Sequence, residues 1–325
     1  MNLVRLVGPA LLALAIAGTP SAAASAQQEP GQLDMGTLRQ VREGLHVVED
    51  RNWTPVVPNV GFVTGSKAIL VVDTGIDRAS GEAILAAAER IARGRKIYVT
   101  ATHFHPEHGF GAIAFKGRAT LIYNRAQRAE FVEKRGKYVK LFTDLGLGKL
   151  VAGTRFVMPD KTYADRFRLD LGGRVVDLYS GRAGHTRGDQ IIHVPDMKTV
   201  FMGDLLETAS FPIFPWYPDI GDTDVSPAKW LTTLGWAAAL DPVIVVPGHG
   251  PVGTKADLLG LSRYIAGVRD EVRARCTTAG STAGLRSILE PELKAEHREW
   301  HLSEWVGPSI DAFAKDYCPS LLVKP

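Results

Sequence analysis

Residues 102–109 read Thr-His-Phe-His-Pro-Glu-His-Gly, a segment in which three of the nine histidines of the chain fall within six positions. His103 and His105 are two residues apart, so on an extended segment they point to the same side. The proline that follows stiffens the turn and lets Glu107 and His108 aim at a neighbouring point. Imidazole is a common zinc ligand, and a surface loop seldom gathers three imidazoles and a carboxylate. The segment predicts a loop that serves two metal positions.

The sequence on both sides of this loop alternates between strand and helix patterns. Short apolar runs predict strands at residues 45–48, 60–64, 68–72, 96–101, 174–179, 190–194, 199–202 and 243–246. Helical periodicity predicts a helix capped by Ser80 and further helices at residues 227–240, 255–274, 285–294 and 303–317. This order, used in two similar halves, predicts sheets packed between helices.

Further side chains that can bind metals follow the predicted strands. Asp73 ends one strand, and His185, Asp204 and His249 follow later ones. His185 and Asp204 are weak signals individually, because both residue types also occur in caps and turns. His249 lies between two glycines, which leave room around it for a ligand. Loops at strand ends are where sites on an α/β scaffold collect.

In order and spacing, these motifs resemble those of the metallo-β-lactamase superfamily. The resemblance extends over residues 45–259 and includes Asp73-Thr74-Gly75 as well as the histidine motifs. It implies an α/β fold, the four-layer αββα sandwich, with the site at one edge between the two sheets. A helical C-terminal tail would follow the sandwich in this chain.

The resemblance also implies a zinc pair. The first zinc would be held by His103, His105 and His185, and the second by His108, His249 and the acidic residue 107, with Asp204 bridging the two. Asp73 would lie behind the ligands and orient a histidine. The family usually has Asp where this chain has Glu107. Because Glu is one methylene longer, the sequence leaves open whether one or two zinc ions bind.

Zinc held by three histidines lowers the pKa of its bound water to about 7. The resemblance therefore implies a hydrolase whose metal-bound hydroxide attacks an ester, lactone or amide carbonyl, with Glu107 and Asp204 as catalytic carboxylates. Asp204 resembles the lactonase, thioesterase and phosphodiesterase branches, because β-lactamases of the superfamily tend to have Cys or Ser there. Three alternatives stay open: a β-lactamase proper, an iron-dependent oxidoreductase of the sulfur dioxygenase type, and a periplasmic metal-binding accessory protein without turnover.

Two aromatic segments are candidate walls for a substrate. The first contains Trp53, and the second runs from residue 205 to 226 and contains Phe211, Phe214, Trp216 and Tyr217. Aromatic side chains beside a metal site favour an apolar substrate. The alternative is that both segments pack their rings onto the domain.

The composition of the chain limits the classes of molecule that it is expected to bind. The chain has 325 residues, with 38 basic and 35 acidic side chains giving a formal charge of +3. The charges are interspersed, so the sequence predicts a small-molecule substrate and no nucleic-acid partner. The oligomeric state stays open. The two cysteines, Cys276 and Cys318, either form a disulfide or remain buried thiols.

The N-terminus predicts export. Residues 1–26 combine Arg5, an apolar run over residues 6–17 and the small-residue pattern Ala24-Ser25-Ala26, as in a cleavable signal peptide. The mature protein is therefore expected to be periplasmic or secreted, with no membrane attachment after cleavage. We expect a leader at residues 27–44, the metallo-β-lactamase-like domain at 45–265 and a helical C-terminal extension packed on it at 266–325.

Overall fold

A computed structural model describes residues 32–322. The predicted signal peptide and the first residues of the predicted leader lie outside the described residues. Within that range, no helix is both long enough and apolar enough to cross a membrane.

The first sheet contains seven strands whose spatial order follows the chain. Its strands are β1 (Arg39–Arg42), β2 (Leu45–Val48), β3 (Val60–Thr64), β4 (Ala68–Val72), β5 (Lys96–Thr100), β6 (Thr120–Asn124) and β7 (Lys161–Tyr163). Strands β1 to β4 are antiparallel neighbours, whereas β4 to β7 run parallel.

The second sheet contains five strands in the spatial order β12-β11-β10-β9-β8. They are β8 (Arg166–Asp170), β9 (Val175–Tyr179), β10 (Ile191–Val194), β11 (Thr199–Glu207) and β12 (Ile244–His249). Strands β8 to β11 are antiparallel neighbours, and β11 and β12 run parallel. Strands β9, β11 and β12 therefore share a direction, and their carboxyl ends meet at one edge.

Helices cover the outer faces of both sheets. They are α1 (Arg78–Ala92), α2 (Pro106–Gly109), α3 (Arg125–Asp144), α4 (Gly148–Val151), α5 (Pro227–Ala239), α6 (Lys255–Arg275), α7 (Thr282–Glu296) and α8 (Val306–Tyr317). Short 3₁₀ turns lie between them, including Ser303–Trp305 directly before α8.

Strand alternation divides the interior into three apolar layers. In β4, Ile69 and Val71 face the core under α1, whereas Leu70 and Val72 face the core between the sheets. In β11, Phe201 faces the central core, and its neighbours Val200 and Met202 face the core under α5 to α8. A strand buried on both faces reads as the continuous apolar run seen in the sequence. These layers confirm the predicted αββα sandwich, and the C-terminal helices pack into its third core.

Several local predictions need correction. The predicted cap of α1 is wrong, because the side chain of Asp77 accepts the Ser80 amide and caps the helix instead. Helix α3 was not predicted, since apolar residues are spread around its circumference rather than along one stripe. Strand β11 extends beyond its predicted end, so Asp204 lies within the strand rather than after it. The domain boundary predicted at residue 265 falls inside α6.

Cys276 and Cys318 form a disulfide, which settles the alternative that the sequence left open. It joins the end of α6 to the end of α8, across a sequence separation of 42 residues. The closed loop contains α7, the 3₁₀ turn at Ser303–Trp305 and α8. The crosslink therefore ties the C-terminal helices to each other.

We expect the double substitution Cys276→Ser/Cys318→Ser to destabilise the protein under non-reducing conditions. A crosslink closing a loop of this size removes denatured-state entropy equivalent to about 4 kcal/mol. Urea unfolding of both proteins, with and without a reductant, measures the effect. The wild type should fall to the level of the variant when reduced, and equal midpoints without reductant would contradict the prediction.

Candidate metal centre

The candidate ligands converge at the edge where the carboxyl ends of both sheets meet. His103 and His105 follow β5, His185 follows β9, Asp204 lies in β11 and His249 ends β12. With Glu107 and His108 on α2, all seven side chains predicted as metal ligands are buried, none being more than 6% exposed. Residues distant in sequence thus form one polar cluster inside an apolar fold.

The first ligand group comprises His103, His105, His185 and Asp204. Their donor atoms lie within 4.8 Å of one another. His105 Nδ1 is 3.1 Å from His185 Nε2. Asp204 Oδ2 lies 3.5 Å from His185 Nε2 and 3.7 Å from His103 Nε2. Nitrogens bound to one zinc at 2.0–2.1 Å in a tetrahedral site are about 3.3 Å apart, so this spacing fits zinc.

The second ligand group surrounds the other oxygen of the same carboxylate. Asp204 Oδ1 is 3.2 Å from His108 Nε2 and 3.6 Å from His249 Nε2. Glu107 Oε1 lies 3.9 Å from both His108 Nε2 and His105 Nδ1, between the two groups. Asp204 therefore presents one oxygen to each group.

Each of these histidines has an oxygen atom facing its outward nitrogen, and all but His249 form a hydrogen bond there. His185 Nδ1 lies 3.0 Å from the Ile213 carbonyl oxygen, and His103 Nδ1 lies 3.2 Å from Thr102 Oγ1. His108 Nδ1 is 3.0 Å from Asp73 Oδ2, and His249 Nδ1 is 3.5 Å from Asp50 Oδ2. His105 meets the hydroxyl of Tyr138 through Nε2, at 3.0 Å.

These acceptors decide the tautomers. A carbonyl or carboxylate oxygen only accepts, so the outward nitrogen of a neutral imidazole must carry the proton and the inward nitrogen a lone pair. The Tyr138 hydroxyl donates to Asp222, so it accepts from His105 Nε2. His105 Nδ1 and His185 Nε2 then face each other as two acceptors, which a bound cation would reconcile. Buried atoms without hydrogen-bond partners point the same way and include His103 Nε2, His108 Nε2, His249 Nε2, Asp204 Oδ1 and Glu107 Oε2. The donor set fits a metal with nitrogen and oxygen ligands.

The pKa values of the histidines differ between the two ligand groups. Burial lowers the pKa of His103 and His105 well below the usual value and that of His185 to about 4. Burial also acts to lower the pKa of His249, but the Asp204 carboxylate and Asp50 outweigh it and raise that pKa to about 9. The first group therefore presents neutral imidazoles, the form that binds metal.

The pKa values of the two carboxyl groups in the cluster, Asp204 and Glu107, differ as well. Burial acts to raise the pKa of Asp204, yet the surrounding imidazoles, His108 first, hold it well below its usual range. Burial raises the pKa of Glu107 to about 7. Asp204 is thus the permanent negative charge of the cluster, and Glu107 is a carboxyl that can exchange a proton near neutral pH.

A cavity of about 110 Å³ opens over the cluster. Four ligands reach it, and the remaining walls are Pro55, Val56, Tyr138, Leu141, Phe142, Leu145, Leu147, Ile213, Tyr217 and Trp305. A larger surface cleft, of about 560 Å³, lies at the amino ends of β5 and β6 and contains none of these ligands. The smaller cavity is therefore the candidate substrate site.

Of the aromatic residues predicted to contact substrate, only Tyr217 lines this cavity. Phe211 and Phe214 are 1% exposed and pack in the core under the C-terminal helices, so their placement at the substrate is corrected. The ring of Trp216 lies under Lys315 of α8. Trp53 stacks on His301, with ring centroids 3.6 Å apart, and donates to the Thr208 carbonyl oxygen. Phe211, Phe214 and Trp216 thus pack against the C-terminal helices rather than facing the cavity.

Several residues of the site were not predicted. Tyr138, Leu141 and Phe142 come from α3, and Trp305 comes from the 3₁₀ turn before α8. A helix prediction for α3 would have shown that Lys134 and Tyr138 share a face, because they are four residues apart. Nothing in the sequence around Trp305 indicates that its side chain lines the cavity above the ligand cluster.

Comparison with known proteins bears on this site. The sequence model of the metallo-beta-lactamase superfamily matches residues 53–249. The chain belongs to this superfamily. The matched range spans the whole candidate cluster, from the Trp53 segment to His249.

Similar curated proteins are the type 2 metallo-beta-lactamases of Bacillus cereus and of Bacillus sp. (strain 170). They are 26% identical over 207 and 206 residues, in each case 62% of this chain and 71% of the relative. A solved metallo-beta-lactamase from Pontibacter korlensis matches with a TM-score of 0.54 at 17% identity, covering 70% of this chain and 98% of that one. The DIM-1 metallo-beta-lactamase exposed to ceftazidime matches with 0.55 at 16% identity, covering 74% and 99%. These structures share the fold.

We expect His103→Ala to lose zinc from the first ligand group. Zinc at 100 times its dissociation constant stabilises a folded protein by about 2.7 kcal/mol, and the variant should lose such an increment. Metal content after dialysis and thermal unfolding with and without zinc measure both effects. The control is His193→Ala, a half-buried histidine of β10. Wild-type zinc content in His103→Ala would contradict the assignment.

Proposed function

We propose that this protein is a zinc-dependent hydrolase that opens an ester, lactone or amide bond, with uncharged apolar esters and lactones as the preferred substrates. The observation that carries the proposal is the set of inward-facing imidazole nitrogens and carboxylate oxygens directly beneath an apolar cavity. Histidine and carboxylate donors in this number favour zinc. When bound, zinc supplies a Lewis acid and a water of lowered pKa.

The residues of the chain have separable tasks in this proposal. Asp204 holds both ligand groups together and compensates their positive charge. Glu107 lines the cavity with an unpartnered Oε2, so it is placed to accept or return a proton of the attacking water. A carboxyl with a pKa of about 7 suits proton exchange near neutral pH. Tyr217 is a further polar wall residue that can donate a hydrogen bond to a substrate oxygen.

The walls support an uncharged substrate. Eight of them are apolar: Pro55, Val56, Leu141, Phe142, Leu145, Leu147, Ile213 and Trp305. Among the described residues that line the cavity there is no lysine or arginine. Burying a substrate carboxylate without a cation beside it carries a large desolvation cost. An acyl chain or an unsubstituted lactone ring avoids this cost.

A second candidate function is β-lactam hydrolysis. The observation in its favour is the similarity to two type 2 metallo-beta-lactamases at 26% identity. Penicillins and cephalosporins carry a carboxylate beside the lactam ring, and the cavity walls offer that group no cationic side chain. We therefore place β-lactams behind uncharged esters and lactones.

A panel of substrates assayed with zinc-loaded protein tests this order of substrate preference. We expect kcat/KM for a medium-chain lactone or aryl ester to exceed that for a chromogenic cephalosporin by at least about tenfold, the effect of about 1.4 kcal/mol. Metal analysis of the purified protein accompanies the panel. A preference for the cephalosporin would favour the β-lactamase alternative. Bound iron together with sulfur oxidation would favour the dioxygenase alternative. Absence of turnover on every substrate would favour the accessory protein.

We expect Trp305→Ala to lower kcat/KM for a long-chain ester more than for an acetyl ester. Removing an apolar wall contact costs about 1–3 kcal/mol in transition-state binding, or about 10–200-fold. Trp216→Ala is the matched control, because Trp216 is a partly buried tryptophan beside α8 that does not line the cavity. If both variants slow both esters equally, Trp305 does not determine specificity.

We expect Glu107→Gln to retain zinc in the first ligand group and to lower kcat by about 10²–10⁴, the usual contribution of general acid–base catalysis. The amide keeps the size of the side chain but cannot take up a proton. Zinc content and kcat are measured on the same preparation. An unchanged kcat would remove Glu107 from the mechanism.

We also propose that the protein is exported after cleavage behind Ala26 and acts on a small molecule without a nucleic-acid partner. The disulfide between Cys276 and Cys318 supports an oxidising compartment. N-terminal sequencing of the periplasmic and secreted fractions tests the cleavage, and an intact Met1 in the cytosol would contradict it.

A further inference from the structure

One face of α3 carries three polar side chains into the interior. Glu130, Lys134 and Tyr138 are spaced by four residues, so they lie above one another on the helix. All three are at most 3% exposed. None of them is a metal ligand or a proton donor in the function proposed above. A buried lysine and a buried glutamate are costly unless they are paired.

These side chains form a continuous hydrogen-bond chain that ends on a metal ligand. His105 Nε2 is 3.0 Å from the Tyr138 hydroxyl, which donates to Asp222 Oδ2 at 2.7 Å. Lys134 Nζ donates to Asp222 Oδ1 at 2.8 Å and to Glu130 Oε1 at 2.9 Å. The loop of residues 221–226 and helix α3 are thereby joined behind His105.

The same chain of hydrogen bonds reaches the loop that carries His185. The Gly188 amide donates to Glu130 Oε2 at 2.6 Å, and the Arg187 amide donates to Oε1 at 3.3 Å. A third acceptor of Lys134, Asp224 Oδ2, lies at 2.7 Å. The polar face of α3 therefore touches both loops of the first ligand group.

The positions of the protons decide which group donates in each of these hydrogen bonds. Asp222 accepts from Lys134 and from Tyr138, which a carboxylate does. The Tyr138 hydroxyl lies 2.7 Å from this carboxylate, which can only accept, so the hydroxyl donates to it. Its one proton goes to Asp222, and its oxygen must accept from His105 Nε2–H. The lone pair of His105 is then on Nδ1, which faces His185 Nε2 at 3.1 Å.

We propose that Tyr138, held by Asp222 and Lys134, is a positioning residue that fixes the tautomer and ring orientation of His105 and so sets the metal affinity of the first ligand group. The inference rests on the metal-binding part of the proposed function. A tyrosine that only filled space would pack equally well as phenylalanine, whereas this hydroxyl both accepts from a ligand and donates to a buried carboxylate. Partners of this kind commonly change metal affinity by 10–100-fold.

The test compares zinc affinity in wild type and in Tyr138→Phe by competition with a chromogenic chelator. We expect the tighter zinc step to weaken by about 10–100-fold in the variant. Tyr264→Phe is the matched control, because Tyr264 is a buried tyrosine that packs in the core under the C-terminal helices and is not part of the ligand cluster. An unchanged zinc affinity in Tyr138→Phe overturns the inference. Wild-type protein that binds no metal overturns the proposed function instead.

A second measurement does not depend on the variant folding. Nitrogen-15 NMR of the zinc-loaded wild type reports which nitrogen of His105 carries a proton. We expect a protonated Nε2 in slow exchange with water and a metal-bound Nδ1. A metal-bound or unprotonated Nε2 would overturn the inference. A purely structural role predicts a lower melting temperature in Tyr138→Phe with unchanged zinc affinity, so the two measurements separate positioning from packing.

Discussion

The arrangement of protons around Asp204 is the constraint on which the site depends. Five imidazoles turn one ring nitrogen outward to an oxygen and the other inward, and the carboxylate offers one oxygen to each group. Buried polar atoms without partners are costly, and this cluster concentrates several of them at one point. A bound cation removes that cost. The same cost explains why the outward partners, including Asp73, Asp50 and Tyr138, are themselves buried and polar.

The fold satisfies this constraint by bringing backbone segments unusually close together. The loop of residues 247–250 passes so near β11 that a Cβ on Gly248 would lie 1.8 Å from Asp204 Oδ1. Only glycine permits that approach, which brings His249 next to the bridging carboxylate. On the other side, Asn59 donates from Nδ2 to the carbonyl oxygens of Pro247 and Gly250 and holds the same loop. Asp204 and His249 are therefore placed by the neighbouring strands β11 and β12.

The substrate side of the site is built differently. Its apolar walls come from α3, from the segment after it, and from Trp305 on the disulfide-closed C-terminal segment. Helix α3 takes part in both sides of the site, because Leu141 and Phe142 line the cavity while Tyr138 contacts His105. The absence of a cationic wall among the described lining residues is the feature that separates an uncharged ester from a β-lactam in our proposal.

The sequence by itself determined the elements whose signal is local. The His103–His108 segment, the apolar runs of β4 and β11 and the glycines beside His249 are each readable within a few residues, and with the family resemblance they predicted the sandwich and its ligand cluster. Tertiary structure alone decided which aromatics face the cavity. Phe211 and Phe214 went to the core because the C-terminal helices cover them, and Trp305 entered the cavity from about 100 residues beyond Asp204. It also decided the disulfide and the Tyr138 contact, because helix α3 has no apolar stripe and its buried lysine is stable only with partners from distant loops.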